Sequence, residues 1–354
     1  MDRRAILSAG AAVLVNAANA CAADPQADPL PLPENALRKI GFCSCIDQTK
    51  PQPVWDAIWA DKPELFIFGG DNVYSAALPW QLASLQNAYS QLDASPGFSR
   101  MRRNVPSLAI WDDNDYGMND GGVEFAHKQA SKDAFLEFWR VPGNDPRRGR
   151  EGLYHAVKIG PADRQAQIIL LDGRWFRSSL RRTDQRNAPG KERYLPDPDP
   201  AKTMLGETQW RWLQDQLEQP ADLRLIVSGV QIIAQGHGWE SWGNLPRERS
   251  RLVDLIGRTR ANGVVLLSGD RHIGALYRHE RQGSYALTEM TSSGMTHAWA
   301  EASEAGPNRL GDLVTQNHYA TVELDWLSRR VVLSIKDVQG QVRRQQVIAL
   351  SDLA

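Results

Sequence analysis

Five apolar runs of strand character each end on a side chain able to bind a metal: Cys45 after KIGFCSC, Asp71 after LFIFGGD, Asp113 after SLAIWDD, Asp172 after AQIILLD and Asp270 after GVVLLSGD. The pattern predicts an α/β enzyme with its site along one sheet edge. Loops at the carboxyl ends of strands gather polar side chains from segments far apart in sequence, which is why ligands bind there. One such ending carries little information; five constrain the fold.

Between these runs, helical character is expected over 53–60, 79–92, 123–139, 207–217 and 246–261, with a further strand over 223–230. Residues 154–159 and 167–171 have strand character and are expected to pair as a hairpin. The Gly/Asn/Asp-rich DNDYGMNDGG beginning at Asp113 is expected to be a loop. The Arg- and Pro-rich 174–202, without periodicity, reads as a long functional loop or lid, or else as a mobile insertion. Toward the end the order changes: 285–290, 319–324 and 331–335 are successive strands without helices, which predicts a second, more antiparallel sheet segment. No internal repeat or interdomain linker is visible, so 38–354 reads as one domain.

Residues 1–23 read as an address and not as fold. Arg3-Arg4 precede an apolar stretch over 5–15 that is too short to span a bilayer, and small residues follow at Ala18, Ala20 and Ala22. This reads as a twin-arginine export signal, with an ordinary secretory signal as the alternative. Either makes the export machinery a partner and places the mature protein in the periplasm or outside the cell, without a membrane span. Cys21 follows Ala18-Asn19-Ala20, which departs from the Leu-rich pattern of a lipoprotein signal. Residues 24–37, beginning DPQADPLPLP, read as a stiff extended leader. The formal net charge of −1 leaves no basic footprint, so no stable nucleic-acid partner is expected and a phosphate-bearing ligand would have to be attracted locally. Twelve Trp are many for 354 residues and can serve pocket walls as well as the core.

The residue types carry a chemistry. Cys43 and Cys45 stand two apart, and alternate strand side chains point to opposite faces, so a bridge between them would be strained. One can pack while the other enters a site as a soft thiolate ligand. Asp71 lies directly at a strand end with Tyr74 across a tight turn. The carboxylate can bridge two cations, and the phenol can ligate as phenolate if the cation is acidic enough to take its proton. Asp112, Asp113 and Asp115 crowd three carboxylates into four positions, a cluster that repels itself unless a cation or several donors neutralise it. Asp270 and His272 put a carboxylate and an imidazole at alternate positions after a buried strand.

GFCSC, GGDNVY, WDDNDYG with its NDGG, LDGRWFRS, HGWESWGNLPRER, LLSGDRH and TSSGMTH occur in this order from about residue 40 to residue 297. Together they resemble the PhoD-like branch of the calcineurin-type metallophosphoesterases. The resemblance implies a four-layer α/β/β/α sandwich with mixed sheets. It also implies a bimetallic site in which Cys and Tyr bind Fe3+ alongside Ca2+. Carried over residue by residue, it implies Cys45, Asp71, Tyr74, Asp113, Asp270 and His272 as metal ligands, Asp71 bridging, with Cys43 packing and Asp112 holding its loop. His237 is a candidate phosphate contact and Arg174 a candidate bidentate fork for phosphate oxygens. Asp172 reads as a loop anchor.

One position departs from the family pattern. Members usually carry His where this chain has Asn114, and Asn can donate a hydrogen bond to a phosphoryl oxygen but cannot supply a proton near neutral pH. The implied function is hydrolysis of phosphomonoesters or phosphodiesters by metal-activated water, with a phosphate ester as substrate. The other readings are a thiol oxidoreductase on Cys43 and Cys45, a non-catalytic periplasmic binding protein, and a pseudo-enzyme that keeps metals without turnover.

Overall fold

The computed structural model describes residues 29–76, 78–304 and 306–354. The export signal over 1–23, with Arg3, Arg4 and Cys21, and the first part of the leader lie outside the described residues. Residues 29–37 form no helix or strand, and Leu32 packs against the core.

The chain begins with three parallel strands, β1 (Lys39–Cys43), β2 (Leu65–Gly69) and β3 (Ser107–Ile110), connected through α1 (Val54–Asp61), α2 (Leu82–Ala94) and α3 (Pro96–Asn104). The one-turn helix α4 (Asp113–Tyr116), then α5 (Lys128–Phe138) and α6 (Pro146–Gly149), lead out of this sheet. A second sheet starts with β4 (His155–Ile159) and β5 (Ala166–Leu170), which pair antiparallel as expected of a hairpin. It continues in parallel through α7 (Gly206–Leu217), β6 (Leu223–Ser228), α8 (Pro246–Arg258) and β7 (Val264–Ser268). After β8 (Gly274–Arg281) and β9 (Ser284–Ser292), the chain returns to the first sheet as β10 (His318–Asp325), β11 (Arg330–Asp337) and β12 (Val342–Ala349).

The strand orders are β12-β11-β10-β1-β2-β3 and β4-β5-β6-β7-β9-β8. Both sheets are therefore mixed, and the C-terminal strands are divided between them. β9 lies parallel to β7, whereas β10 pairs antiparallel with β1. This corrects the expectation of one sheet edge followed by a separate antiparallel segment. The segment 174–202 contains no helix or named strand, only bridges such as Arg182 with Tyr194.

The apolar runs are explained by burial on both faces. β2 and β7 are buried at every position, as strands covered on either side must be. Along β6 and β7, Leu225, Val227, Val265 and Leu267 join the core shared with the first sheet, while Ile226, Val264 and Leu266 face Trp210, Leu213, Leu252 and Leu255 of α7 and α8. On the outer face of the first sheet, Phe66 and Phe68 meet Trp55, Phe98 and Trp139 from the helical layer at centroid separations of 4.9–6.2 Å. Burying each such Phe stabilises the fold by about 1.5–3 kcal/mol. The result is helix, sheet, sheet, helix in four layers.

Candidate active site

The carboxyl ends of β1, β2, β3 and β7 come from two sheets and meet where the sheets meet. Ser44 after β1 donates its N–H to Ser292 O of β9 at 3.0 Å. The β1–β2 ladder also runs on past the strands: Cys45 N–H donates to Gly70 O at 3.2 Å and Ile46 N–H to Asp71 O at 2.8 Å. These bonds hold Cys45 and Asp71 in the left-handed region, at φ +62° and +51°. Asp270 and His272 after β7 have φ +69° and +53°, and Asp120 has +50°. Among the described residues, these five are half of the ten non-glycine residues with positive φ. Each such conformation costs about 1–3 kcal/mol and persists only where the surroundings enforce it, commonly at functional sites.

Glycine is required where Asp112 passes between the sheets. At Gly70, φ is +104° and a Cβ would lie 2.6 Å from Asp112 Cβ. A Cβ on Gly229, just past β6, would meet the Asp112 carboxylate itself.

The crowded carboxylates of the third strand end are separated by α4. Asp112 caps the helix, and Asp115 reaches back to accept from Asp112 N–H at 2.6 Å and from Asn72 N–H at 3.2 Å. Asp112 accepts from Arg174 Nε at 2.7 Å. Asp113 accepts from Asp120 N–H at 2.7 Å, so donors hold all three, but of the three only Asp113 lines a cavity of about 270 Å³, with Asp71, Asn114, Asp270 and His272. The stretch expected to be loop is helical over this turn because the capping box closes it.

Cys45 and Tyr74 are not on the cavity wall but contact its residues. Cys45 Sγ lies 3.8 Å from Asp71 Oδ2, and Tyr74 Oη donates to the same oxygen at 3.2 Å. The Tyr74 hydroxyl is also 3.0 Å from His272 Nε2. Burial pushes the Cys45 thiol well above its ordinary range, with the Asp71 charge adding to it, and burial pushes the Tyr74 phenol up as well. Asp71 and Asp270 are raised by burial first and then by the neighbouring carboxylates. His272 is lowered to about 3 by burial and by His297, so its ring stays neutral, the form that ligates metals.

The donor set fits metal ions. Ligand atoms of Cys45, Asp71 and His272 lie within 4.8 Å of one another, with the Tyr74 phenol at the same carboxylate. Sulfur, imidazole and phenol donors suit a transition metal. Asp71, Asp112 and Asp113 form an adjoining group with only oxygen ligands, which suits a hard cation. Asp71 belongs to both groups. Asp71, Asp112 and Asp270, whose proton affinity is raised by burial and by neighbouring carboxylates, carry the charge a cation would offset.

Two expected phosphate contacts lie elsewhere. Arg174 is 1% exposed and does not line the cavity; its guanidinium contacts Asp112 and lies 2.9 Å from Glu240. Arg177 joins Glu240 at 3.1 Å, so the segment read as a basic loop carries two buried structural cations. His237 is also off the cavity wall, with Nε2 3.0 Å from Gln231 Oε1, and burial lowers it to about 3. Asp172 anchors its loop, accepting from the N–H groups of Leu153, Arg174 and Trp175 at 2.7–3.0 Å. Cys43 is buried, and burial pushes its thiol up to about 12; both Cys43 and Cys45 are unbridged.

The cavity also recruits residues the sequence reading left unassigned: Arg193, Trp239, Arg271 and Trp299 line it, together with Asp120 and Glu240. His297, which ends the TSSGMTH motif, packs edge-on against Tyr74 and His272 at 4.9 and 4.3 Å between centroids. Its place at the end of a motif was the available signal.

A family model described as PhoD-like phosphatase matches residues 40–326. The chain belongs to the PhoD-like phosphatase family. This PhoD-like chain is 22% identical over 240 residues to alkaline phosphatase D of Bacillus subtilis (strain 168), an alignment covering 61% of the chain and 40% of that relative. The chain thus spans well under half of the relative's length. Solved structures show the same fold. A structure of PhoD superposes with a TM-score of 0.70 at 16% identity, covering 90% of this chain and 70% of that one. Purple acid phosphatase PPD1 from yellow lupin (Lupinus luteus) seeds gives 0.61 at 11% identity, covering 91% of this chain and 56% of that one. GAP50, the anchor in the inner membrane complex of Plasmodium, gives 0.56 at 14% identity with 89% of both chains covered. The PhoD-like chain accordingly has the metallophosphoesterase sandwich.

Proposed function

We propose that this chain is an exported phosphoesterase that hydrolyses phosphate esters in the cavity over Asp71, Asp113 and Asp270. The observation that carries the reading is the meeting of two ligand groups at Asp71, one of sulfur, phenol and imidazole and one of carboxylates, with Asp71, Asp113 and His272 of these groups on the wall of that cavity. Membership of the PhoD-like phosphatase family supports it. Fe3+ with Cys45, Tyr74 and His272, and Ca2+ with the carboxylates, is the assignment these donor types favour. Bound there, such cations would neutralise phosphate oxygens and acidify a water.

The chain's own residues supply the rest. Asp71 presents an oxygen to each group, and its N-terminal neighbours in the ladder keep that carboxylate aimed. Asn114 Nδ2 donates to both Asp71 Oδ2 and Asp113 Oδ1 at 2.9 Å, so it can reach a phosphoryl oxygen only by exchanging one of these bonds, and it has no proton to give a leaving group. His272 stays neutral and Tyr74 remains within reach of both Asp71 and the imidazole. The twin arginines at Arg3 and Arg4 support export to the periplasm or medium.

The test is metal analysis of the full chain with turnover of p-nitrophenyl phosphate and bis(p-nitrophenyl) phosphate, and of an Asp71→Asn control. Stoichiometric metal, a visible phenolate-to-iron absorption band and hydrolysis lost in the control are expected. Colourless, metal-replete, active protein would overturn the iron assignment alone. Metal-replete protein without turnover on either ester would leave a pseudo-enzyme.

A further inference from the structure

Two arginines and two tryptophans share the cavity wall with the carboxylates: Arg193, Arg271, Trp239 and Trp299. Arg193 comes from the irregular segment between β5 and α7, and Trp239 from the turn before α8. Their backbones are fastened together: Arg193 and Tyr194 both donate N–H to Gly238 O, at 3.0 and 2.7 Å, and Tyr194 Oη donates to Asp120 Oδ2 at 2.7 Å. The Arg193 guanidinium carbon lies 5.1 Å from the Trp239 ring centroid. Arg271 lies 4.7 Å from the same ring and 5.7 Å from that of Trp299, which meets Trp239 edge-on.

The two guanidinium groups differ in what neutralises them. Arg271 is buried and paired with Glu304. Among the described residues no carboxylate pairs with Arg193, which is the difference between them, since the Nε of both guanidinium groups is buried without a hydrogen-bond partner. A buried donor beside a polar cavity leaves a hydrogen bond unmade until an acceptor enters. Arg174, the arginine the motif pointed to, has no such capacity because Asp112 and Glu240 already occupy it.

We propose that Arg193 is the substrate-binding guanidinium of this site, taking the non-bridging oxygens of the phosphate, and that Trp239 is the positioning residue that holds its fork toward the cavity. The planar fork matches two phosphate oxygens at once, which an ammonium cannot do. Stacking on the indole face restricts the side chain before a ligand arrives, so less freedom is lost on binding. The proposal rests on the phosphoesterase reading above.

Calorimetric titration of metal-loaded full chain with inorganic phosphate tests it, alongside KM and kcat for p-nitrophenyl phosphate and metal content for each variant. Arg193→Gln is expected to weaken phosphate binding and raise KM at least about tenfold with metal content unchanged, and Arg193→Lys to give an intermediate loss. Trp239→Leu is expected to weaken phosphate binding and raise KM about two- to fivefold, and Trp239→Phe to restore most of that loss. Phosphate affinity in Arg193→Gln equal to that of the parent chain overturns the proposal. A parent chain that binds phosphate but turns over no ester overturns the phosphoesterase reading while leaving the Arg193 comparison intact. A parent chain that binds no phosphate overturns both.

Discussion

Asn114 sits where its amide touches Asp71 and Asp113 at 2.9 Å each, yet it offers no proton to a departing alkoxide. Turnover by this chain should therefore depend steeply on leaving-group pKa. Asn114→His is expected to flatten that dependence, raising kcat on alkyl phosphates about 10–100-fold and leaving p-nitrophenyl phosphate nearly unchanged. Equal effects on both esters would show that position 114 plays no part in protonation. His318 is a second informative residue, off the cavity wall. It is fully buried, its Nδ1 lies 2.8 Å from Gln316 O, and burial lowers it to about 4. Because the folded value lies below the unfolded one, the unfolded chain takes up the proton first as pH falls. The stability contribution is therefore complete above about pH 6.5 and is lost progressively toward pH 4, by up to about 3 kcal/mol. Urea midpoints across this range should show the loss, and His318→Gln should reduce it. At this scale the sequence pointed to Cys45, Asp71, Tyr74 and His272 because each lies within five residues of a strand end, and the structure brings the four together, whereas it buries Arg174 away from the cavity. Nothing in a run of arginines says which one will meet Asp112 and Glu240.

Loops, more than helices, give the elements their alignment at the site. Arg174 joins the cap of α4 through Asp112 to the turn before α8 through Glu240, with all three side chains at most 2% exposed. Arg174→Met would leave buried Asp112 without its cation and Glu240 with Arg177 alone, at a cost of about 3–5 kcal/mol. Thermal unfolding should show a large drop in Tm, and recovery in the triple variant with Asp112→Asn and Glu240→Gln would identify the unpaired charges as its cause. The same scale shows why some strands escaped notice. β8 and β12 each lie at one edge of their sheets and carry Arg278, Glu280, Arg281, Arg343 and Arg344, so they read as polar segments. Charges of that kind protect an edge from pairing with another chain. α3 was missed for a related reason, since its PGFSRMRRN buries only Phe98 and Met101. The helix expected from 79 starts at Leu82, and that expected from 123 starts at Lys128, where Pro, Gly and aromatic packing delay the first turn.

Across the whole molecule, the site depends on two sheets being held face to face. The shared core from Phe42 to Leu350 supplies that hold, and Ser44 with Ser292 is one of the backbone bonds across the join. Cations bound at the join would link β1 and β2 to β7 and should add folding stability by mass action. Removing them with a chelator is expected to lower stability by about 3 kcal/mol for each site that had been occupied at a hundred times its Kd. Scanning calorimetry before chelation, after it and after metal return would measure the difference, and an unchanged Tm would show that the ligand groups bind nothing. By itself the sequence determined the alternation of elements, the residues at the strand ends and the family, because buried strands demand continuous apolar runs and chemistry demands particular side chains beside them. Only the tertiary structure decided that those ends belong to two sheets, that five residues there adopt left-handed backbone, and that Arg193 rather than Arg174 faces the cavity. The physical reason is that sheet membership, backbone strain and ion pairing arise from contacts between segments far apart in the chain, which no local pattern of residues records.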